Sequence, residues 1–330
     1  MENIKSMIKK IMDTVYPNYE LLDKNITPLK SGWAGSVYAF SIYVRNNNNR
    51  ERKDYIIKLY SGNKKGAEGI EKESQALKFL AESGYNVPEY VGHDTLMNEF
   101  EYPFMVMEQI KGKMFWDIYQ EAETEQKKDM VITFSRLLYD LHKKDIKITK
   151  IDTMEEEPIK LIDNELEEIK EILDSYSIEK LRPIYLWLEN EKDTVGDLSP
   201  SILHRDYHPW NIIIDQRNQP YVIDWVWGIG DYRFDIAWTI CLLERGGFDS
   251  FAEEALTAYR ELLGKEIKNF DYFKVLSTLR WLLNVSVSLI SGENLREGER
   301  QAFSEFLKMP VRKACETFNE IMNTEIRYTL

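Results

Sequence analysis

The chain has 330 residues, 43% of them apolar and 12% aromatic, with a formal net charge of −13. That length and composition suit a globular protein with one large core or two lobes and exclude a disordered chain. The acidic balance argues against nucleic acid as a main partner, because phosphate backbones need a basic face, and no apolar run suggests a membrane span.

Residues 1–17, MENIKSMIKKIMDTVYP, read as a short amphipathic helix without the apolar stretch or cleavage site of a secretory signal, so a cytoplasmic location is expected. SVYAFSIYV (36–44) and DYIIKLY (54–60) flank the polar run NNNNRER and predict an antiparallel hairpin. A helix is expected over 66–84, closed by Gly84 and stopped by Val87-Pro88. FEYPFMVMEQI (100–110) predicts another strand and KGK (111–113) a break. From there the pattern is helical over 123–143, 155–174, 179–192, 232–246, 249–263, 271–290 and 298–323, interrupted by a short β stretch across 211–224. Cys241 and Cys315 fall in apolar helical contexts and read as free buried thiols. Strands first and helices later predict an α+β protein, with a small lobe over 1–110 and a larger helical lobe over 111–330.

The stretch LHRDYHPWNIIID (203–215) holds two of the four histidines. No third or fourth ligand with zinc-like spacing lies near, and Pro209 disfavours a regular strand, so histidine spacing alone is a weak case for zinc. NIIID (211–215) and PYVID (220–224) instead predict a hairpin. If Ile214 pairs with Tyr221, Asn211 falls opposite Asp224, and two oxygen-bearing side chains suit a hard cation such as Mg²⁺. Asp206, just ahead of them, is placed to accept the proton of an attacking hydroxyl. These residues read equally as turn formers until the N-terminal half supplies the rest of a nucleotide site.

Lys58 shares a strand face with Ile56, an unusual position inside an apolar run. Glu73 shares the apolar helix face of Ile70, Leu77 and Leu80, whereas Glu71, Ser74, Gln75 and Lys78 fall on the polar side. A lysine and a glutamate that both point inward are reconciled if they point at each other, holding Lys58 for a phosphate. SGWAGS (31–36), ending at Ser36, offers small residues where backbone amides can approach phosphates. A P-loop is absent.

Taken together, Lys58, Glu73, HRDYHPWN (204–211), IDW (223–225) and GDYRFDIA (230–237) resemble, in order, the protein-kinase-like enzymes and more closely their aminoglycoside phosphotransferase / choline kinase branch. The resemblance covers roughly residues 25–245 and implies a two-lobed fold using ATP or GTP with Mg²⁺. It implies Asp206 as catalytic base, Asn211 and Asp224 as Mg²⁺ ligands, and Lys58 on the α/β-phosphates, held by Glu73. It further implies backbone contacts from Glu108 and Ile110 to the base, Val37, Ile56 and Ile213 sandwiching that ring, Asp235 tying the catalytic loop, and His208 as a support. Arg205 and Trp210 stand where the family usually has glycine, and packing is the reading for Trp210.

Asp235 follows Asp224 by only 11 positions and no APE motif comes after it, which favours a small-molecule hydroxyl over a peptide as acceptor. Residues 151–200 carry 15 acids against five bases. Most of those carboxylates lie off the stripe Ile162, Leu166, Ile169 and Leu173, as a solvated helix face requires, yet such a rim would also attract a cationic acceptor. Trp116, Trp187, Trp227 and Trp281 could cage a quaternary amine, though core packing is the simpler expectation. A catalytically inactive kinase-like structural protein, such as a spore-coat component, is the competing reading. Oligomeric state is not legible.

Overall fold

In the computed structural model, residues 2–22, 26–29, 36–46, 49–146, 160–292 and 299–330 are described. In chain order these form α1 (Glu2–Val15), β1 (Tyr19–Leu21), β2 (Thr27–Leu29), β3 (Val37–Asn46), β4 (Asn49–Leu59) and α2 (Lys64–Glu82). Then come β5 (Tyr90–Asp94), β6 (Phe104–Glu108), β7 (Gly112–Met114), α3 (Phe115–Glu121), α4 (Thr124–His142), α5 (Lys160–Tyr176) and α6 (Arg182–Glu191). The remainder is β8 (Pro200–Leu203), β9 (Ile212–Asp215), β10 (Pro220–Val222), β11 (Gly228–Asp231), α7 (Tyr232–Arg245), α8 (Asp249–Leu263), α9 (Phe270–Ser291) and α10 (Glu299–Met322). The α+β class is thus as expected, with antiparallel strands early and helices late. Met1–Asp117 and Trp210–Trp227 make one compact unit; Ile118–Pro209 and Gly228–Leu330 make the other.

In the first unit an antiparallel sheet runs β1-β3-β4-β6-β5, with β2 also on β3. Ile4, Met7, Ile8, Ile11 and Met12 on one face of α1 pack in a core with Phe40, Ile42, Tyr55, Ile57, Leu59, Phe104 and Val106. Residues 38, 40 and 42 of β3 and 55, 57 and 59 of β4 therefore serve the core, which leaves Lys58, Ile56 and Val37 on the opposite face. Helix α2 begins where the Asn63 side chain accepts the Gly66 amide and ends ahead of Gly84, whose φ of 72° closes it.

Three local expectations needed correction. The β3–β4 ladder continues through the polar run to Asn46 and Asn49, so NRER is strand and not turn. Cross-strand contacts carry it past the apolar pattern: Arg50 lies 3.8 Å over the Tyr43 ring and 2.8 Å from Glu20. Gly112, read as a break, belongs to β7, which pairs with β9 so closely that a Cβ there would stand 2.0 Å from the Ile214 carbonyl oxygen. Ser74 is buried, not solvent-facing, and returns its hydroxyl to the Glu71 carbonyl at 3.0 Å.

The predicted hairpin over 211–224 forms, but one residue out of the expected register. Tyr221 pairs with Ile213 and Pro220 with Ile214. A three-residue connection sets this, with Asn218 left-handed at φ 65° and the Asp215 carboxylate accepting the amides of Arg217 and Gln219, each at 2.8 Å. Asn211 consequently faces Ile223, whose amide reaches its carbonyl at 3.0 Å, and Asp224 lies one residue beyond the ladder.

In the second unit, α4 packs on α8, while α7 and α9 pack on each other. The stripe Ile162, Leu166, Ile169 and Leu173 of α5 is buried as expected. Residues 155–159 of the predicted helix, and with them part of the acidic stretch, lie outside the described residues. Helix α9 is long and apolar enough to cross a membrane by composition, but 61% of that window is buried within the structure. The short pair β8–β11, with Ile202 opposite Ile229, was not expected from sequence.

Candidate active site

Strand β4 sits between β3 and β6, with Lys58 opposite Val37 on one side and Met105 on the other. Its ammonium is buried and lies 3.2 and 2.9 Å from the two Glu73 carboxylate oxygens. It also donates to Asp224 Oδ1 at 2.7 Å. Burial alone would lower the Lys58 pKa, but the charges of Glu73 and Asp224 outweigh it and hold the group well above its ordinary value. Tyr60, two residues on from Lys58, donates its hydroxyl to Glu73 Oε2, and Lys58 lies 5.0 Å from its ring centre.

Asp224 takes a left-handed backbone, φ 59°, directly after the β9–β10 ladder ends. That turn carries its carboxylate to Lys58 while the side chain stays half exposed. Asn211, just ahead of β9, is buried at that same end of the ladder. One carboxylate and one amide oxygen are hard donors on adjoining backbone, a set that fits Mg²⁺, which takes few protein oxygens and completes its shell with phosphate and water. Among the described residues no cluster of three or more His, Cys, Asp or Glu offers a softer metal site.

Of the remaining predicted nucleotide residues, Val37 and Ile56 are half-buried on the Lys58 face, and Ile213 is half-buried on β9 opposite Tyr221. Ser36 is exposed, its carbonyl accepting the Leu59 amide at 2.9 Å; residues 31–35 of the glycine-containing turn lie outside the described residues. Glu108 ends β6 and gives its amide to the Glu89 carbonyl at 2.9 Å, so that amide is already engaged. Glu108 and Ile110 line a polar cavity of about 340 Å³, which Lys58, Asn211 and Asp224 do not. Its charges are largely spent internally, with Asp54 bound by Lys111 and Arg52, so the charged constellation, not this hollow, marks the candidate site.

In the second unit, β8 delivers the chain to His204 and Asp206. The buried Asp235 carboxylate accepts the amides of His204 and Arg205, both at 2.7 Å, and contacts His142 Nε2 at 3.3 Å. His142 Nδ1 in turn lies 2.8 Å from the Tyr259 hydroxyl. Arg205 is left-handed at φ 68°, a conformation glycine adopts without strain. Its guanidinium binds Glu165 of α5, which Arg280 of α9 also reaches at 2.9 Å. Asp206 accepts Trp238 Nε1 at 3.2 Å, lies 3.6 Å from His208 Nε2, and gives its amide to His204 Nδ1 at 3.2 Å. Burial pushes the Asp206 carboxyl up, yet the hydrogen bond and charge of His208, with His204 and Trp238, outweigh burial and hold it below the usual range. An ionised, oriented carboxylate results.

The phosphotransferase enzyme family model (APH) matches residues 25–272. The chain belongs to that family. Solved structures with the same fold include a candidate aminoglycoside phosphotransferase from Ralstonia eutropha, TM-score 0.68 at 14% identity over 96% of this chain and 98% of that one. A choline kinase from Streptococcus pneumoniae matches with TM-score 0.60 and 16% identity, over 98% of this chain and 100% of its own. The GDP and kanamycin complex of an aminoglycoside phosphotransferase gives 0.60 and 17%, over 94% and 98%. No curated protein matches significantly.

The sequence conceals several partners that the structure supplies. Tyr60 was legible in principle, since strand alternation puts it on the Lys58 face, and Trp238 sits three residues after Asp235 on one helix face. His142, 93 positions before Asp235, carries no such signal. Trp210 packs against Trp116, ring centres 5.0 Å apart, as its reading required. Trp227 packs on Phe79, Trp187 on Tyr272, and Trp281 beneath Arg245, so the indoles at 116, 187, 227 and 281 serve separate packing neighbourhoods.

Proposed function

We propose that this phosphotransferase moves the γ-phosphoryl group of Mg·ATP, or Mg·GTP, to a hydroxyl of a small molecule. The observation that carries the reading is the Lys58–Glu73–Asp224 constellation, a buried ammonium between two carboxylates of which one is reachable from solvent. A purely structural ion pair has no use for the second, half-exposed carboxylate.

Lys58 binds the α/β-phosphates while Glu73 fixes its direction. Val37, Ile56 and Ile213 enclose the base, backbone groups at Ser36 approach the phosphates, and Glu108 and Ile110 meet the base edge. Asn211 and Asp224 hold Mg²⁺, which when bound neutralises charge on the phosphate oxygens. Asp206 accepts the proton of the acceptor hydroxyl as its oxygen bonds to the γ-phosphorus and the bond to the bridging oxygen breaks, leaving the nucleoside diphosphate. Positioning supplies most of the rate in such loose transition states. A compact acceptor with amino groups, in the manner of an aminoglycoside, choline or another amino or sugar alcohol, suits the acidic surface of α5. The nucleotide substrate favours a cytoplasmic location.

The test is an ATP-consumption screen over aminoglycosides, choline, homoserine, macrolides and sugars, repeated with Asp206→Ala and Asp224→Ala. Transfer is expected with at least one acceptor and to vanish in both variants; full activity in either overturns the assignment.

A further inference from the structure

The three N–H groups of Lys58 are all engaged, two with Glu73 and one with Asp224. To bind a phosphate, Lys58 must turn at least one of them away. Release from Asp224 leaves that carboxylate half in solvent, where water or a metal ion compensates it. Release from Glu73 is harder, because Glu73 is only 3% exposed and an uncompensated buried carboxylate is costly.

Tyr60 changes that balance. Its hydroxyl donates to Glu73 Oε2, the same oxygen that lies nearer Lys58. The backbone fixes the ring: the Tyr60 amide donates to the Pro103 carbonyl at 3.0 Å, and Gly69, one turn ahead of Glu73 on α2, leaves room beside the ring. Burial and the Glu73 charge hold the phenol well above its ordinary pKa, so it stays a neutral donor.

We infer that Tyr60 is a positioning residue of the nucleotide site, which keeps Glu73 satisfied so that Lys58 can give hydrogen bonds to phosphate. The inference rests on the phosphotransferase reading above. Tyr60 touches neither nucleotide nor acceptor and acts through Glu73 and Lys58.

The experiment is calorimetric titration of Mg·ADP and of a non-hydrolysable Mg·ATP analogue into wild type, Tyr60→Phe, Lys58→Met and the double variant, with circular dichroism confirming each fold. Tyr60→Phe is expected to weaken nucleotide binding about tenfold, the loss of one charge-assisted hydrogen bond of about 1.4 kcal/mol. In the Lys58→Met background the same change is expected to do nothing further, because the path runs through Lys58. A residue that merely stabilises the fold would lower the melting temperature and leave nucleotide affinity unmoved. Equal affinity in wild type and Tyr60→Phe, or an undiminished effect without Lys58, overturns the inference. Absence of nucleotide binding by wild type would instead overturn the phosphotransferase reading itself.

Discussion

Replacing Asp235 removes one carboxylate that fastens the loop ahead of Asp206. Its two oxygens accept the amides of His204 and Arg205 at 2.7 Å and meet His142 at 3.3 Å, and the carboxylate itself is buried from water. Hydrogen bonds to an ionised acceptor contribute about 1.5–3 kcal/mol each, so the two amides together represent about 3–6 kcal/mol. Against a total stability of roughly 5–15 kcal/mol, that is enough to open the loop locally without unfolding the protein. In Asp235→Ala, hydrogen exchange over residues 201–210 is expected to accelerate by about two to four powers of ten, since each 1.4 kcal/mol is a factor of ten. Asp235→Asn retains one acceptor and points an NH₂ at the other amide, so its exchange falls in between. Arg205→Gly serves as the control: it keeps the amide that Asp235 binds and relieves a left-handed backbone, so protection there should persist. Wild-type exchange rates in Asp235→Ala would refute the clamp.

The other outcomes concern chemistry. Because His208 is the main influence opposing burial at Asp206, His208→Ala should raise the Asp206 pKa. Wild-type activity then holds at neutral pH and falls only as pH drops through a depressed carboxyl pKa; the variant loses activity at higher pH, and a pH profile of kcat/KM whose acid limb stays put contradicts this. Asn211→Ala should raise the Mg²⁺ concentration needed for half-maximal transfer, read from a metal titration at fixed ATP, while Asp224→Asn should abolish transfer at every concentration. Trp238→Phe, which removes the donor to Asp206 Oδ1, should lower kcat with little change in the KM for nucleotide, as steady-state kinetics would show.

What the chain discloses unaided depends on how far apart the interacting residues lie. Lys58 and Glu73 were legible because each breaks a local periodicity, one of period two and one of period 3.6, and the two violations resolve each other. The hairpin at 211–224 was legible as a hairpin, but its register hung on whether the connection held three residues, which the left-handed Asn218 decides. Gly112 misled because a glycine that ends a strand and one that lets strands approach read alike. His142 and Glu165 could not be read at all: their contacts to Asp235 and Arg205 close 93 and 40 positions apart, with no motif to announce them. The carboxylates of α5 show how a charge count overstates function, since Asp163, Glu165 and Glu168 are already held by Lys192, Arg205 and Arg280.

Strands β7 and β9 pair although about a hundred residues separate them, and nearly all of that intervening chain belongs to the other unit. During synthesis Lys58 and Glu73 therefore leave the ribosome long before Asn211 and Asp224, by roughly 7–33 s at ordinary elongation rates. The early fragment can bury its ion pair, but β7 must wait without a strand partner for the hairpin that makes its sheet. The same discontinuity means that no single cut yields the first unit as one continuous polypeptide. A fragment ending before Trp210 would keep the lysine and lack both oxygens proposed for the metal.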